Sequence, residues 1–122
     1  MKLASLFVAL AVIGLQAQNP PALPLGGARP ETPGITRTVL KDDAKSTVTR
    51  VHLNPDAAEP PHTHQTDVIL VPVVAGTVEF KLGDTLMTKL ASGEVQFVPK
   101  DTVHSLANKG KVAFELIAIS LK

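Results

Sequence analysis

The chain has 122 residues, which is enough for one domain rather than two. Its 12 basic and 11 acidic residues nearly cancel, and no run of Lys or Arg with interleaved aromatic residues suggests a nucleic-acid partner. The absence of cysteine excludes disulfides, thiolate metal sites and thiol nucleophiles, so stability must come from packing, or from packing together with a metal.

Residues 1–17 predict a secretory signal peptide. Met1-Lys2 is a short positive start, an apolar run follows from Leu3 to Leu15, and Ala17 suits cleavage directly after it. The apolar run has 13 residues, whereas about 20 helical residues are needed to cross a bilayer core of about 30 Å. We therefore predict a secreted or periplasmic protein with no stable membrane span. The alternative is an N-terminal membrane anchor or an amphipathic helix.

Residues 18–34 predict a flexible linker, because five Pro and three Gly in this segment disfavour regular structure. From Ile35 onward, short β-branched runs alternate with turn residues. The predicted organisation is thus a signal peptide at 1–17, a linker at 18–34 and one folded domain at 35–122.

The folded domain is predicted to be all-β. Its apolar residues alternate with a period of two, which is typical of half-buried strands, and no segment has a helical period. Such a number of short strands indicates a sandwich or a barrel, and a barrel is favoured because closure leaves no exposed edge. The predicted strands are Thr36–Leu40, Thr47–Leu53, Val68–Val74, Thr77–Leu82, Thr85–Leu90, Val95–Val98, Val103–Ala107 and Val112–Leu121.

The motif that carries most chemistry is His62-Thr63-His64. Residues i and i+2 of a strand point to the same face, so both imidazoles can reach one point, and Pro60-Pro61 before them favour an extended backbone. His104 lies 40 residues after His64. Imidazole is the commonest metal-ligand type, and three such ligands leave open positions on an ion. The three histidines are therefore the predicted metal ligands.

At this point the sequence resembles the cupin family. The second family motif, G-x5-P-x-G-x2-H-x3-N, is similar to the segment that contains Gly93, Pro99, His104 and Asn108. Asp101 replaces the inner glycine, in a turn where Asp tolerates a left-handed backbone better than most residues.

The first family motif, G-x5-H-x-H-x3-4-E-x6-G, is matched at His62, His64 and Gly76. Asp56 replaces its first glycine. Spacing back from Gly76 favours Ile69 at the glutamate position, with Val68 as the one-residue alternative. The family's usual site is three histidines plus that glutamate, so the resemblance implies a three-histidine site here for iron, manganese, nickel, copper or zinc.

Four further residues are candidates for the pocket or the surroundings of the metal. Asp67 shares a face with Ile69, and it reaches the ion only through a bulge or a water. Phe97 is a predicted pocket wall, and alternation leaves open whether Gln96 points into the pocket. His52 is predicted to face solvent.

The resemblance implies a jelly-roll barrel, also called a double-stranded β-helix, and a homodimer. A metal-dependent enzyme of dioxygenase or isomerase/lyase type, acting on a small organic substrate, is one predicted function. Non-catalytic binding of a metal or small ligand, or a structural role in dimerisation, is the alternative. A metal-free pocket lined by the three histidines also stays open, and no catalytic residue is predicted.

Overall fold

The structure is a computed structural model that describes residues 22–23 and 32–122. Every regular element in this described part is a strand. The same residues contain no helix that is long and apolar enough to cross a membrane. The strands are β1 Ala22–Leu23, β2 Ile35–Asp42, β3 Ser46–Leu53, β4 Ala58–His64, β5 Val68–Pro72, β6 Gly76–Leu82, β7 Thr85–Leu90, β8 Gln96–Val98, β9 His104–Asn108 and β10 Phe114–Leu121.

The strands form two five-stranded sheets. One sheet has the order β1-β4-β9-β6-β7, and the other has the order β2-β3-β10-β5-β8. Consecutive strands along the chain often lie in different sheets, and all neighbours except β1 and β4 are antiparallel. The inward side chains of both sheets make one core, which includes the fully buried rings of Phe80 and Phe114. The prediction of an all-β jelly-roll barrel is confirmed.

Strand β4 is the one element of the domain that the sequence pattern did not predict as a strand. Two of its residues are prolines, which lack the N–H that a ladder needs. The pairing of β4 with β9 shifts register between Glu59 and His62, on either side of Pro60-Pro61. The two prolines are therefore accommodated at a bulge, and regular pairing resumes at the histidines.

The predicted linker contains one short strand. Ala22 and Leu23 of β1 pair in parallel with Thr63 and His64 of β4. The signal peptide and most of the linker lie outside the described residues, so the boundaries at 17 and 34 stay predictions.

Two aspartates stand at the glycine positions of the cupin-like motifs, and both adopt a left-handed backbone. Asp56 has φ 69° and Asp101 has φ 63°. Asp is among the few non-glycine residues that tolerate this region at low cost. The turns before β4 and before β9 thus keep a glycine-like conformation, which sets the start of the two strands that carry the histidines.

Candidate metal centre

The structure brings His62, His64 and His104 together inside the barrel. His62 and His64 lie on the inward face of β4, and His104 on β9 is the direct cross-strand partner of His62. Their exposed fractions are only 5%, 7% and 5%. One nitrogen from each ring can be chosen so that all three lie within 4.8 Å of one another.

Hydrogen bonds to the backbone define which nitrogen of two rings faces the cluster. Nδ1 of His62 lies 2.7 Å from the carbonyl oxygen of Pro60, and Nδ1 of His104 lies 3.0 Å from that of Thr102. A carbonyl oxygen only accepts, so each Nδ1 carries the proton and donates it. In the neutral ring Nε2 is then the unprotonated nitrogen, which is the tautomer that a metal-binding histidine needs.

The rings are close enough to share one ion. The ring centroids of His62 and His104 are 4.2 Å apart, and those of His64 lie 4.9 and 5.0 Å from the other two. Two nitrogens bound to one zinc ion at about 2.0–2.1 Å cannot be more than about 4.2 Å apart. The observed cluster is thus near the required size, and small ring rotations suffice. The donor set fits a divalent transition metal.

The histidines line a cavity of about 70 Å³. A water needs at least about 10–15 Å³ of such volume, so the cavity has room for several waters or a small organic molecule. Its walls are mainly apolar, with Val68, Leu70 and Leu106 among the lining residues. A mostly apolar cavity with a few convergent polar groups is typical of small-ligand sites.

Two charged residues of the cavity were not predicted from the sequence. Arg37 on β2 and Glu59 on β4 line it, with side chains only 10% and 13% exposed, and Nη2 of Arg37 donates to Oε1 of Glu59. Oε2 of Glu59 lies 3.9 Å from Nδ1 of His62. The available signal was the alternation of Ile35 and Arg37, which places an arginine on the inward face of a strand.

Comparison with known proteins identifies the family. The family profile described as Cupin domain matches residues 49–120, which is more than half of the chain. The chain belongs to the cupin family. No curated protein matches this cupin significantly.

Solved structures with the same fold include a cupin domain from Bordetella pertussis, at 24% identity and a TM-score of 0.65 over 76% of this chain and 98% of that one. KdgF from Halomonas sp. has 22% identity and a TM-score of 0.66 over 77% and 84% of the two chains. The polyketide cyclase RemF from Streptomyces resistomycificus has 17% identity and a TM-score of 0.67 over 77% and 69%. These similarities establish the cupin fold.

Of the two positions that the motif spacing allows for the glutamate, Val68 and Ile69, Val68 is the one on the inward face. Val68 is 2% exposed and lines the cavity, whereas Ile69 is only partly buried and is not a lining residue. The assignment of Ile69 is therefore corrected to the one-residue alternative, because a shift of one residue moves a strand side chain to the other face. Neither Val68 nor Ile69 has a side-chain atom that can bind a metal.

The other predicted pocket residues do not line the cavity. Asp67 shares the outward phase of Ile69, and its Oδ1 accepts a hydrogen bond of 2.9 Å from the backbone N–H of Lys100. Phe97 is the cross-strand partner of Ile69 and is 50% exposed, so it is a surface residue rather than a pocket wall. Gln96 pairs with inward-facing Leu70, yet it lies on the edge strand β8, outside the cavity lining.

His52 lies apart from the cluster. It sits on β3 with its side chain 38% exposed, and its Nδ1 is 2.9 Å from Oε2 of Glu115 on β10. This placement agrees with the prediction that His52 faces solvent. It gives the chain an internal reference histidine outside the metal centre.

Proposed function

We propose that this cupin is an exported protein that binds a divalent transition metal through His62, His64 and His104 and presents it to a small organic ligand. The observation that carries the proposal is the convergence of three buried imidazole nitrogens within 4.8 Å at the wall of a cavity. Two of the rings are held by backbone carbonyls in the metal-binding tautomer.

Each part of the chain has a defined task in this proposal. Strands β4 and β9 hold the ligands on neighbouring backbones, so little conformational entropy is lost when an ion binds. Val68 leaves the fourth position without a carboxylate, so an ion held by the three histidines would have room for a ligand from the cavity. A bound divalent ion supplies Lewis-acid chemistry to a ligand at such an open face.

Metal content tests the proposal directly. Protein purified without chelators is expected to carry about one equivalent of a transition metal, and His62→Ala and His104→Ala are expected to lose it. His52→Ala is the matched control, since it removes a histidine outside the cluster, and it should retain the metal. If the wild type holds no metal, and added Mn²⁺, Fe²⁺, Ni²⁺ and Zn²⁺ leave its thermal stability unchanged, the proposal is wrong.

Catalysis, of dioxygenase or isomerase/lyase type, is the second candidate function. The observation in its favour is that the three histidines and a pair of opposite charges, Arg37 and Glu59, line one cavity. Such a pair can orient a polar substrate at the ion. Turnover on a panel of small enols, diketones and sugar acids tests it, and activity should require both His104 and Glu59. A panel without turnover leaves the binding function as the better description.

We also propose that a second copy of the chain covers the outer face of the sheet with the order β2-β3-β10-β5-β8. A continuous row crosses four strands of this face, from Phe97 through Ile69 and Ile119 to Val48. Outward positions of a solvated antiparallel sheet are normally polar, so an apolar row indicates a protein interface. Light scattering should give a dimer that Phe97→Glu dissociates and Val112→Glu, an exposed apolar control elsewhere, preserves. A monomeric wild type at tens of micromolar would contradict the proposal.

Export is the remaining part of the proposal. It is supported by the signal-like sequence of residues 1–17. Mass spectrometry of protein recovered from the periplasm or medium should give a chain that begins at Gln18. Recovery of the intact chain from the cytosol alone would contradict export.

A further inference from the structure

We propose that Arg37 is the anion-recognition residue of the cavity and that the ligand presented to the metal is a small carboxylate. The inference rests on the proposed metal function and names the ligand class of the same site. It starts from an imbalance in hydrogen bonding at the guanidinium group. Nη2 of Arg37 is used by Glu59, whereas Nε is buried with no acceptor against it in the described part of the chain.

Arg37 lies at the wall of the cavity. Arg37 is the cross-strand partner of Val51, which also lines the cavity, and its side chain is nine-tenths buried. A buried donor that is left without an acceptor costs free energy, and a ligand oxygen in the cavity would recover it. Arg37 and the three histidines line the same cavity, so one small molecule in it can contact Arg37 and the ion together.

Charge within the cavity favours an anion. Arg37 and Glu59 cancel each other, and the histidines are neutral when they bind an ion. A divalent metal would therefore leave an excess of two positive charges in a mostly apolar cavity. With Val68 at the fourth position, no carboxylate of the described residues joins the three histidines as a ligand to offset that excess. An anionic ligand would do so.

Shape and size narrow the anion to a small carboxylate. The planar guanidinium matches the planar carboxylate group, and Arg37 already holds one such group in Glu59. The cavity of about 70 Å³ excludes a large acid. The ligand class is thus a short carboxylate with one oxygen on the ion and another hydrogen-bonded to Nε of Arg37.

Malonate binding to the Co²⁺-loaded protein tests the proposal, with visible absorption of Co²⁺ as the readout. Wild type is expected to bind malonate and to discriminate against malonamide, its neutral counterpart. Arg37→Lys keeps a cation beside Glu59 but lacks Nε, and it should bind malonate about 10- to 100-fold more weakly. Arg50→Lys is the matched control on the exposed part of β3, and it should bind malonate like the wild type.

The outcomes separate this inference from the metal proposal. If Arg37→Lys keeps its Co²⁺ affinity but binds malonate more weakly, the inference is supported. The double variant Arg37→Met/Glu59→Gln, which avoids a lone buried charge, should also keep its Co²⁺ affinity and lose malonate affinity. Malonate affinity within twofold of wild type in both variants overturns it, and so does tighter binding of inorganic phosphate than of malonate. If wild type binds no metal, the metal proposal fails. Malonate binding to the metal-free protein is then followed by NMR in wild type and the two Arg37 variants, and it decides the role of Arg37 separately.

Discussion

Two inward-facing polar residues of β9, His104 and Asn108, are both buried but differ in their surroundings. Asn108 is 1% exposed, and its amide group is fully engaged with backbone. Its Nδ2 donates to the carbonyls of Leu53 and Val112, and its Oδ1 accepts from the N–H of Gly110. His104 is 5% exposed, its Nδ1 donates to the carbonyl of Thr102, and its ring lies beside two other imidazoles.

Burial alone therefore does not distinguish a functional polar residue from a structural one. The distinction comes from where the hydrogen bonds go. At the Asn108 end of the barrel, every polar atom of the side chain stabilises a loop. At the His104 end, backbone hydrogen bonds orient two of the rings, and in the proposed function these rings would bind an ion.

The largest expected effects come from truncating each of these residues. Asn108→Ala should lower the free energy of unfolding by about 2–4 kcal/mol, because buried backbone groups lose their partners. His104→Ala should lower metal affinity by at least about 100-fold, because loss of a ligand costs more than the 10–100-fold typical of its hydrogen-bond partners. Urea unfolding of the metal-free protein and metal titration check the two effects. The contrast fails if Asn108→Ala, measured where it is folded, weakens metal binding as much as His104→Ala.

Placing a carboxylate at the fourth ligand position tests which residue of β5 faces the metal site at the His104 end of the barrel. Val68→Glu should raise metal affinity about 10- to 100-fold, since opposite charges at about 4 Å gain about 4 kcal/mol at an effective dielectric of 20 and desolvation offsets part of this. Ile69→Glu places the same group on the outer face and should leave metal affinity unchanged. Isothermal titration with Zn²⁺ measures both. Equal behaviour of the two variants would argue against Val68 as the inward residue.

At the Asn108 end, stability should instead depend on the volume added to the packed core. A Cβ on Gly76 would lie 2.5 Å from Cδ1 of Phe114, so Gly76→Ala forces the buried ring to move and should cost about 1–3 kcal/mol. Gly83 has φ 59° and open space around it, and Gly83→Asn is the control expected to change stability by less than about 0.5 kcal/mol. Denaturant unfolding compares them. Metal affinity should be the same in both, and a loss in Gly76→Ala would show that the two ends are coupled.

The smallest expected effect lies outside both ends, at the surface pair of Asp42 and Lys122. The hydrogen bond from Lys122 and that from Thr47 lower the pKa of Asp42 below its usual 3.8. A lowered carboxyl pKa contributes stability that is present above the usual value and is lost as the pH falls through the folded value, which here is below 3.8. Lys122→Met should raise the pKa of Asp42, as followed by NMR of the carboxyl carbon, and Lys89→Met should not. An unchanged Asp42 titration in Lys122→Met would contradict the pairing.

The sequence predicted the ligand end of the barrel better than its cavity. The spacing of His62 and His64 fixes their common face, and the aspartates at positions 56 and 101 suit the left-handed turns that they adopt. For β5, the sequence did not show which residues face the barrel interior and which face outward. Val68–Pro72 is apolar at every position, so no alternation shows which residues point inward.

Arg37 and Glu59 escaped prediction for a related reason. They lie on different strands, 22 positions apart, and no local spacing brings them together. Only the pairing of β2 with β3 and of β4 with β9 places both at one cavity. Long-range placement of this kind follows from topology, which a short motif does not encode.

The imidazole nitrogens themselves provide the most direct test of the central claim. In a ¹H–¹⁵N correlation spectrum of the four imidazole rings predicted for the mature chain, about one equivalent of Zn²⁺ should shift Nε2 of His62 and His104 and one nitrogen of His64 together. The protonated Nδ1 of His62 and His104 should stay protonated, and His52 should not respond. A response of His52 alone, or of no ring, would contradict a three-histidine metal centre in this cupin.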